Sequence, residues 1–347
     1  LAQAKLVSGG QRIVVEKPFG NDLESARKLA ADLHQYVDES QLFRIDHFLA
    51  KMALTEILYL RFANSALEPV WNRNHIASVQ VTMFEQFGVE DRGSFYDPVG
   101  ALRDVVVNHL LQVLAAAAME PPAAGDARTL QDAKYAVFRS MRDADPGHYV
   151  RGQYAGYREI AGVAADSETE TYAALRLEID NWRWAGVPFF IRAGKQLSTT
   201  ETEIRLIFRD PPSVPFIPPG AGPPEPAQIV FKLDPATGVQ VRLDAHRADH
   251  PHGRGTIELD AELRSQGGED PTPYEVLLHA ALEGDRTLFT RQDSVEESWR
   301  VLQPLLDQPG PVHTYPKGSA GPEAADALAA STGGWRGPWV TDASASG

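Results

Sequence analysis

Four short stretches of the sequence carry side chains that could do chemistry together. His47 and Lys51 stand four apart at the start of a helical pattern. At that spacing two cationic donors share one face near unpaired backbone N–H groups, which suits a phosphate. A solvated basic turn has the same signature, and Asp46 next door shifts the balance toward a site. Asn108, His109 and Gln112 interrupt a run of Val, Leu and Ala, so any of them turned inward must find a partner. His109 is the candidate general base, although a hydrogen-bonded core histidine reads the same way. Asp104 lies five residues earlier, about 140° around an α-helix from His109, and is expected to play a separate part. Glu16-Lys17-Pro18-Phe19-Gly20 is a strand end with a lysine before a stiff turn, where loops over α/β sheets bind ligands. An exposed lysine at a strand terminus fits it equally. Lys195, in Arg192-Ala193-Gly194-Lys195, carries the same ambiguity with a solvated turn.

Regular elements must hold these residues in place. Arg12 to Lys17 reads as a short buried strand, and Asn21-Asp22-Leu23-Glu24 has capping-box spacing before the helical pattern Leu23, Ala26, Leu29, Ala30, Leu33. Lys5 with Gly9 and Gly10 resembles the end of an earlier helix, so the chain is expected to start mid-structure. Gln41 to Asp46 predicts a strand, His47 to Ala63 a helix, Ile76 to Phe84 a strand, and Val99 to Met119 a buried helix. Tyr172 to Ile179, Pro188 to Arg192, Glu203 to Phe208, Ile229 to Leu233 and Val239 to Leu243 predict a large, mostly antiparallel sheet. The Pro- and Gly-rich stretch from Asp210 to Glu225 reads as a surface connection, and its Gly220-Ala221-Gly222 is followed by prolines, unlike a phosphate loop. Helices near Tyr274 to Gly284 and Ser294 to Leu306 precede a tail, Thr341 to Gly347, expected to be mobile.

The 347 residues can bury a sizeable core without disulfides. With 33 Lys and Arg against 47 Asp and Glu, the net charge of -14 argues against nucleic acid or an anionic membrane as partner, so any phosphate site is local. The absence of cysteine removes thiol catalysis and thiolate metal sites, and no metal is expected. The longest apolar run, Leu110 to Met119, is too short to span a bilayer, and a cytoplasmic setting is expected. No G-x-G-x-x-G between a strand and a helix occurs.

Taken together, Glu16-Lys17-Pro18-Phe19-Gly20, Arg44-Ile45-Asp46-His47-Phe48-Leu49-Ala50-Lys51, Arg61-Phe62-Ala63-Asn64 and Trp71-Asn72-Arg73 resemble consecutive signatures of glucose-6-phosphate dehydrogenases. Arg103-Asp104-Val105, Asn108-His109-Leu110-Leu111-Gln112, Pro188-Phe189-Phe190-Ile191-Arg192 and Gly284-Asp285 with Thr287-Leu288-Phe289 continue the likeness, from about Arg12 to near Trp339. The resemblance implies oxidation of glucose 6-phosphate at C1 to the 6-phospholactone, with hydride passing to NADP. By the same comparison His109 is the base and Asp46 orients it, while His47 and Lys51 hold the phosphate. Lys17, Glu85, Asp104 and Lys195 fix sugar hydroxyls, and Lys17 and Pro18 also face the coenzyme.

The resemblance further implies an α+β fold: a large mostly antiparallel sheet with helices on one face, preceded by a remnant of an α/β dinucleotide-binding domain. The division falls at residues 1–40 and 41–347, and a homodimer forms through the sheet. Phe48 stands where a tyrosine usually helps hold the phosphate, Thr200 near an expected Lys or Arg, and Asp234 in place of a glutamine, which weakens the case for phosphate selectivity. Because the Gly-rich turn is missing, the chain is expected to be an inactive fragment. A non-catalytic sugar-phosphate-binding module and a dehydrogenase of a related sugar are the alternatives.

Overall fold

The computed structural model describes residues 10–50, 52–212, 223–246, 254–263 and 271–340. Four expectations lie outside these residues: the helix end before Gly9, Lys51, the Gly220-Ala221-Gly222 connection and the tail from Thr341.

The chain opens with a strand–helix–strand unit. β1 (Ile13–Glu16) pairs in parallel with β2 (Leu42–Ile45), and α1 (Leu23–His34) connects them. Asp22 caps α1 by accepting from the Ser25 N–H at 2.7 Å, with Ser25 closing the capping box where Glu24 was expected. β1 is not a buried strand: its exposure alternates, and Val14 is 39% exposed. β2 is buried on both sides, with Phe43 and Ile45 packed on Leu277, Ala281 and Phe289.

A 3-10 turn (His47–Ala50) leads into α2 (Met52–Phe62), so the single helix expected from His47 begins as a tighter turn. Then come β3 (Ile76–Phe84), the short α3 (Gly93–Tyr96), and a π-helix (Leu102–Leu110) that continues into α4 (Leu111–Ala118). α5 (Ala127–Ser140) precedes β4 (Tyr149–Tyr154), β5 (Tyr172–Glu178), β6 (Pro188–Gly194), β7 (Glu201–Phe208), β8 (Gln228–Asp234), β9 (Gly238–His246) and β10 (Arg254–Glu262). The chain closes with α6 (Pro273–Glu283), α7 (Gln292–Asp307), β11 (Val312–Tyr315) and α8 (Asp326–Ala329).

Nine strands form one sheet in the order β10-β9-β8-β7-β3-β6-β5-β4-β11. Only β3–β6 and β4–β11 are parallel, so the sheet is mostly antiparallel as expected. Alternation along the strands gives each face its character. Val79, Val81, Phe189, Ile191, Ile204, Leu206, Ile229 and Phe231 form the main core with the π-helix, α4 and α7.

The intervening residues Gln80, Arg192, Glu203, Arg205 and Lys232 are buried too, under the segment 334–340. Gln80 exchanges hydrogen bonds with Gly334 O and the Arg336 N–H, Arg192 donates to Arg336 O, and Arg205 donates to Gly337 O at 2.9 Å. The Trp339 N–H donates to Glu203 at 2.6 Å, and Lys232 donates to Trp339 O at 3.2 Å. A strap thus crosses β6, β3, β7 and β8, its backbone satisfied by buried charged side chains.

Two of the signature motifs are structural. Arg61, buried, donates to Ala116 O, Ala117 O and Met119 O, and the indoles of Trp71 and Trp184 donate to Ala117 O and Ala118 O. These side chains satisfy the carbonyls at the end of α4 that no later helical N–H can reach. Burial pushes the Arg61 guanidinium down to about 10, against the pull of Glu68. No helix among the described residues is long and apolar enough to cross a membrane.

Candidate active site

Two pairs of parallel strands deliver their ends to the same place. β1 and β2 finish with Glu16 beside Ile45, so Lys17 and Asp46 leave one edge together. β3 and β6 finish with Phe84 beside Gly194, so Glu85 and Lys195 leave another. The carboxyl ends of parallel strands are where α/β sheets leave room for ligands. A cavity of about 540 Å³ opens there, lined by Lys17, Pro18, Asp46, His47, Glu85, Asp104, His109 and Lys195. Its size is ordinary for a small-molecule site.

The loop after β1 is tightly held. Gly20 has φ +92°, and a Cβ there would meet Ala26 N at 2.6 Å, so the turn requires glycine. α7 fixes both flanks: the Trp299 indole donates to Phe19 O at 3.2 Å, and Gln303 accepts from the Leu23 N–H at 3.0 Å.

The π-helix changes the expectation for Asp104. Its hydrogen bonds run to the fifth residue, which brings residues five apart onto neighbouring positions. Asp104 therefore shares the face of His109 instead of standing apart from it. Lys17 Nζ joins them, at 3.2 Å from Asp104 Oδ1, 3.0 Å from Asp104 O and 3.1 Å from His109 Nε2.

His109 is buried, and its Nδ1–H donates to Asp46 Oδ1 at 2.5 Å. With Lys17 donating to Nε2, these partners assign the neutral Nδ1–H tautomer. Phe48 N–H donates to the same Asp46 oxygen at 3.0 Å. Burial pushes the Asp46 carboxyl up, but His109 and the Phe48 N–H outweigh it and hold it below the usual carboxylate range. Such a pair can relay a proton: Asp46 fixes the ring and its tautomer, and Nε2 faces the cavity.

Aromatic rings frame the relay. The Phe48 ring stacks on His109 at 4.5 Å, where a tyrosine hydroxyl was expected to serve the phosphate. His47 meets His109 edge-on at 4.6 Å, and Tyr274 stacks over His47 at 6.3 Å. Burial and the nearby Glu16 both raise the Tyr274 hydroxyl above its ordinary value.

On the far wall Lys195 Nζ lies 2.6 Å from Glu85 Oε2 and faces the Phe87 and Tyr96 rings. Thr200 accepts from the Gln86 N–H at 3.0 Å, and neither it nor Asp234 is among the residues lining the cavity.

The cavity also draws on residues that the sequence reading gave no part in the site: Arg92, Phe95, Tyr274, Ser298 and Trp299, and Arg103, which it quoted only within a signature. Tyr274 was legible as a polar aromatic in the first turn of a helix. Trp299 was masked by the ordinary amphipathic pattern of α7. Asp46, His47 and His109 bring ligand atoms within 4.8 Å of one another. The Asp46–His109 hydrogen bond and the Lys17 ammonium engage both ring nitrogens of His109.

Comparison with known proteins decides the family. The family model described as "Glucose-6-phosphate dehydrogenase, C-terminal domain" matches residues 58–336, and the one described as "Glucose-6-phosphate dehydrogenase, NAD binding domain" matches residues 1–55. The chain belongs to the glucose-6-phosphate dehydrogenase family. It is 54% identical over 340 residues to glucose-6-phosphate 1-dehydrogenase 1 of Mycobacterium bovis and of Mycobacterium tuberculosis, covering 98% of this chain and 72% of each relative.

The X-ray structure of glucose-6-phosphate 1-dehydrogenase from Mycobacterium avium superposes with a TM-score of 0.90 at 52% identity, over 98% of this chain and 74% of that one. A glucose-6-phosphate dehydrogenase in complex with its substrate glucose 6-phosphate gives 0.88 at 35% identity, over 97% and 72%. An oxidoreductase with NADP as coenzyme follows from membership of the family. The expectation of an inactive fragment finds no support, because the NAD-binding-domain model matches residues 1–55 and 72% of the length of the mycobacterial relatives is spanned.

Proposed function

We propose that this chain oxidises glucose 6-phosphate at C1 to the 6-phospholactone. The observation that carries the reading is the buried Asp46–His109 pair, whose second imidazole nitrogen faces the cavity next to Lys17. Glucose 6-phosphate enters with its C1 hydroxyl at His109 Nε2, displacing the Lys17 ammonium toward Asp104. Nε2 takes the hydroxyl proton, and Asp46 stabilises the imidazolium that forms. Lys17, Asp104, Glu85 and Lys195 hold the sugar hydroxyls, and their alternating charges select among them. His47 binds the phosphate, together with Lys51 by family resemblance.

NADP fits the edge formed by β1 and β2, where Lys17 and Pro18 would hold it, and when bound it supplies the hydride acceptor. An α/β coenzyme unit at the N-terminus and an α+β substrate domain belong to the same proposal, and the β1–β2 pairing favours grouping β2 with the former. A homodimer formed through the large sheet and a cytoplasmic setting complete it.

The test is NADP reduction by the purified protein with glucose 6-phosphate, with glucose and with glucose 6-phosphate deuterated at C1. Reduction that needs the phosphate and slows with deuterium supports the reading. Equal rates with free glucose would remove the phosphate from it, and no reduction by folded protein would remove the reaction.

A further inference from the structure

The first N–H groups of a helix find no partner within it, and a π-helix reaches back five residues instead of four, as the Leu111 N–H does to Val106 O. At the start of the π-helix two such groups go to one residue. The Leu102 N–H donates to Glu170 Oε1 at 3.1 Å, and the Ala101 N–H donates to Glu170 O at 3.0 Å. Gly100 makes room for this contact: its φ is +73°, and a Cβ there would stand 2.6 Å from Oε1. Glu170 is 6% exposed, and burial raises its carboxyl above the ordinary value, against the Leu102 N–H and Arg151. Glu170 is itself fixed. It precedes β5, and its Oε2 lies 3.7 Å from Nε of Arg151 in β4, whose Nη1 donates to Gly310 O at 3.1 Å. The next residue, Thr171, accepts the Lys195 N–H at 2.9 Å, and the Tyr315 hydroxyl donates to Lys195 O at 2.7 Å.

Residues 170 and 171 thus hold both walls of the main cavity, one being the helix that carries Asp104 and His109, the other the end of β6 with Lys195. We propose that Glu170 is a positioning residue for the reaction: by taking the N–H groups that open the π-helix, it sets the distance between the Asp104–His109 wall and the Lys195 wall across which the sugar is held. Glu170 is not among the residues lining the main cavity, so it acts through the helix. The constraint passes on directly. Lys17 Nζ is bonded to the carbonyl and the carboxylate of Asp104, two residues after Leu102, and to His109 Nε2. A slide of the first turn therefore carries Asp104 away from Lys17, and Lys17 away from the ring. On its other side this turn borders a separate cavity of about 300 Å³, lined by Leu102, Arg103, Tyr149, Arg151 and Glu170. Open space there leaves the Glu170 hydrogen bonds to hold the turn in place.

The kinetic consequence rests on the proposed reaction, whereas hydrogen exchange reads the helix without turnover. Two variants of the full chain separate the acceptor from the charge. Glu170→Gln keeps an acceptor at the same reach and loses the charge, while Glu170→Asp keeps the charge and falls one methylene short of the Leu102 N–H. A misplacement of about 1 Å lowers an alignment-dependent rate by about 100-fold. In Glu170→Asp, kcat/KM for glucose 6-phosphate should fall by about 10- to 100-fold, and amide exchange across residues 102–110, followed by mass spectrometry, should quicken. Glu170→Gln should stay within about threefold of native kcat/KM with native exchange. Equal kinetics in the two folded variants would mean a part in folding alone, and a larger loss in Gln a part played through charge; either order overturns the proposal. A loss of about tenfold or more in Glu170→Gln does so whatever the Asp variant shows. If the Asp variant does not fold, Gly100→Ala presses on the same carboxyl and must bring the same loss, so that native turnover and exchange there overturn the proposal equally. Quickened exchange in Glu170→Asp with no reaction in the native protein would leave the anchor intact and sink the proposed function instead.

Discussion

Lys17 Nζ stands 3.1 Å from His109 Nε2, the ring nitrogen that Asp46 leaves open. That nitrogen is therefore capped by an ammonium that also holds Asp104. This cap keeps Nε2 aimed at the cavity. Lys17→Ala removes the ammonium that bridges the ring nitrogen and Asp104, so kcat/KM at neutral pH should fall by about two orders of magnitude. Steady-state kinetics on both proteins check this. A native kcat/KM in the folded variant contradicts a part for Lys17 in the site.

His47 is asked only to bind. Its ring lies edge-on beside His109, and Tyr274 stacks over it. His47→Ala should raise KM for glucose 6-phosphate by about tenfold with kcat within a few-fold, the loss of one charge-assisted contact. Steady-state kinetics with glucose as the control decides it: a fall in kcat at constant KM would move His47 from binding into the chemistry.

The Lys195–Glu85 pair is substrate-binding by assignment, and in the structure Lys195 is buried and Glu85 mostly so, with side chains 6% and 16% exposed. Lys195→Met strands the Glu85 carboxylate and should cost about 3 kcal/mol of stability. The double change Lys195→Met with Glu85→Gln should regain most of that stability and none of the substrate affinity. Denaturant unfolding and calorimetric titration of glucose 6-phosphate separate the two effects. A double variant as unstable as the single one would show that the pair is not the source of the loss.

The strap on the other face makes the opposite prediction. Trp339 is 8% exposed, its backbone is held by Glu203 and Lys232, and its ring faces the Lys232 ammonium. Trp339→Ala should destabilise by about 3 kcal/mol, while kcat and KM stay near their native values because the cavity lies on the helical face of the sheet. Measurable loss of turnover in the folded variant would mean that the strap reaches the site.

Much of this was legible in the sequence, for physical reasons that can be named. The strands from Tyr172 to Leu243 alternate or run β-rich because they are core strands, and the structure places them as β5 to β9. The candidate residues other than Lys51, which is not described, all line one cavity.

What stayed hidden was set by partners far away in the chain. β4 carries Arg151, Gly152 and Gln153 and has no strand-like pattern of its own, yet pairs with β5 and β11. β10 is an edge strand whose charges mask its alternation. The π-helix cannot be told from an α-helix by apolar spacing, and so Asp104 was assigned to the wrong face. α5 was overlooked although Asp126 caps it and Leu130, Ala133 and Val137 give it a buried stripe, because no residue in it advertised chemistry. The strap reads as a Gly- and Trp-containing tail, since its partners are charged side chains on four separate strands.

The central claim is that His109 is the base of a dehydrogenase. It is tested most directly by measuring kcat and KM for NADP reduction by glucose 6-phosphate in the native protein and in His109→Asn. The account predicts kcat lowered by about two to four orders of magnitude with KM within a few-fold of native. Near-native turnover in the folded variant would contradict it.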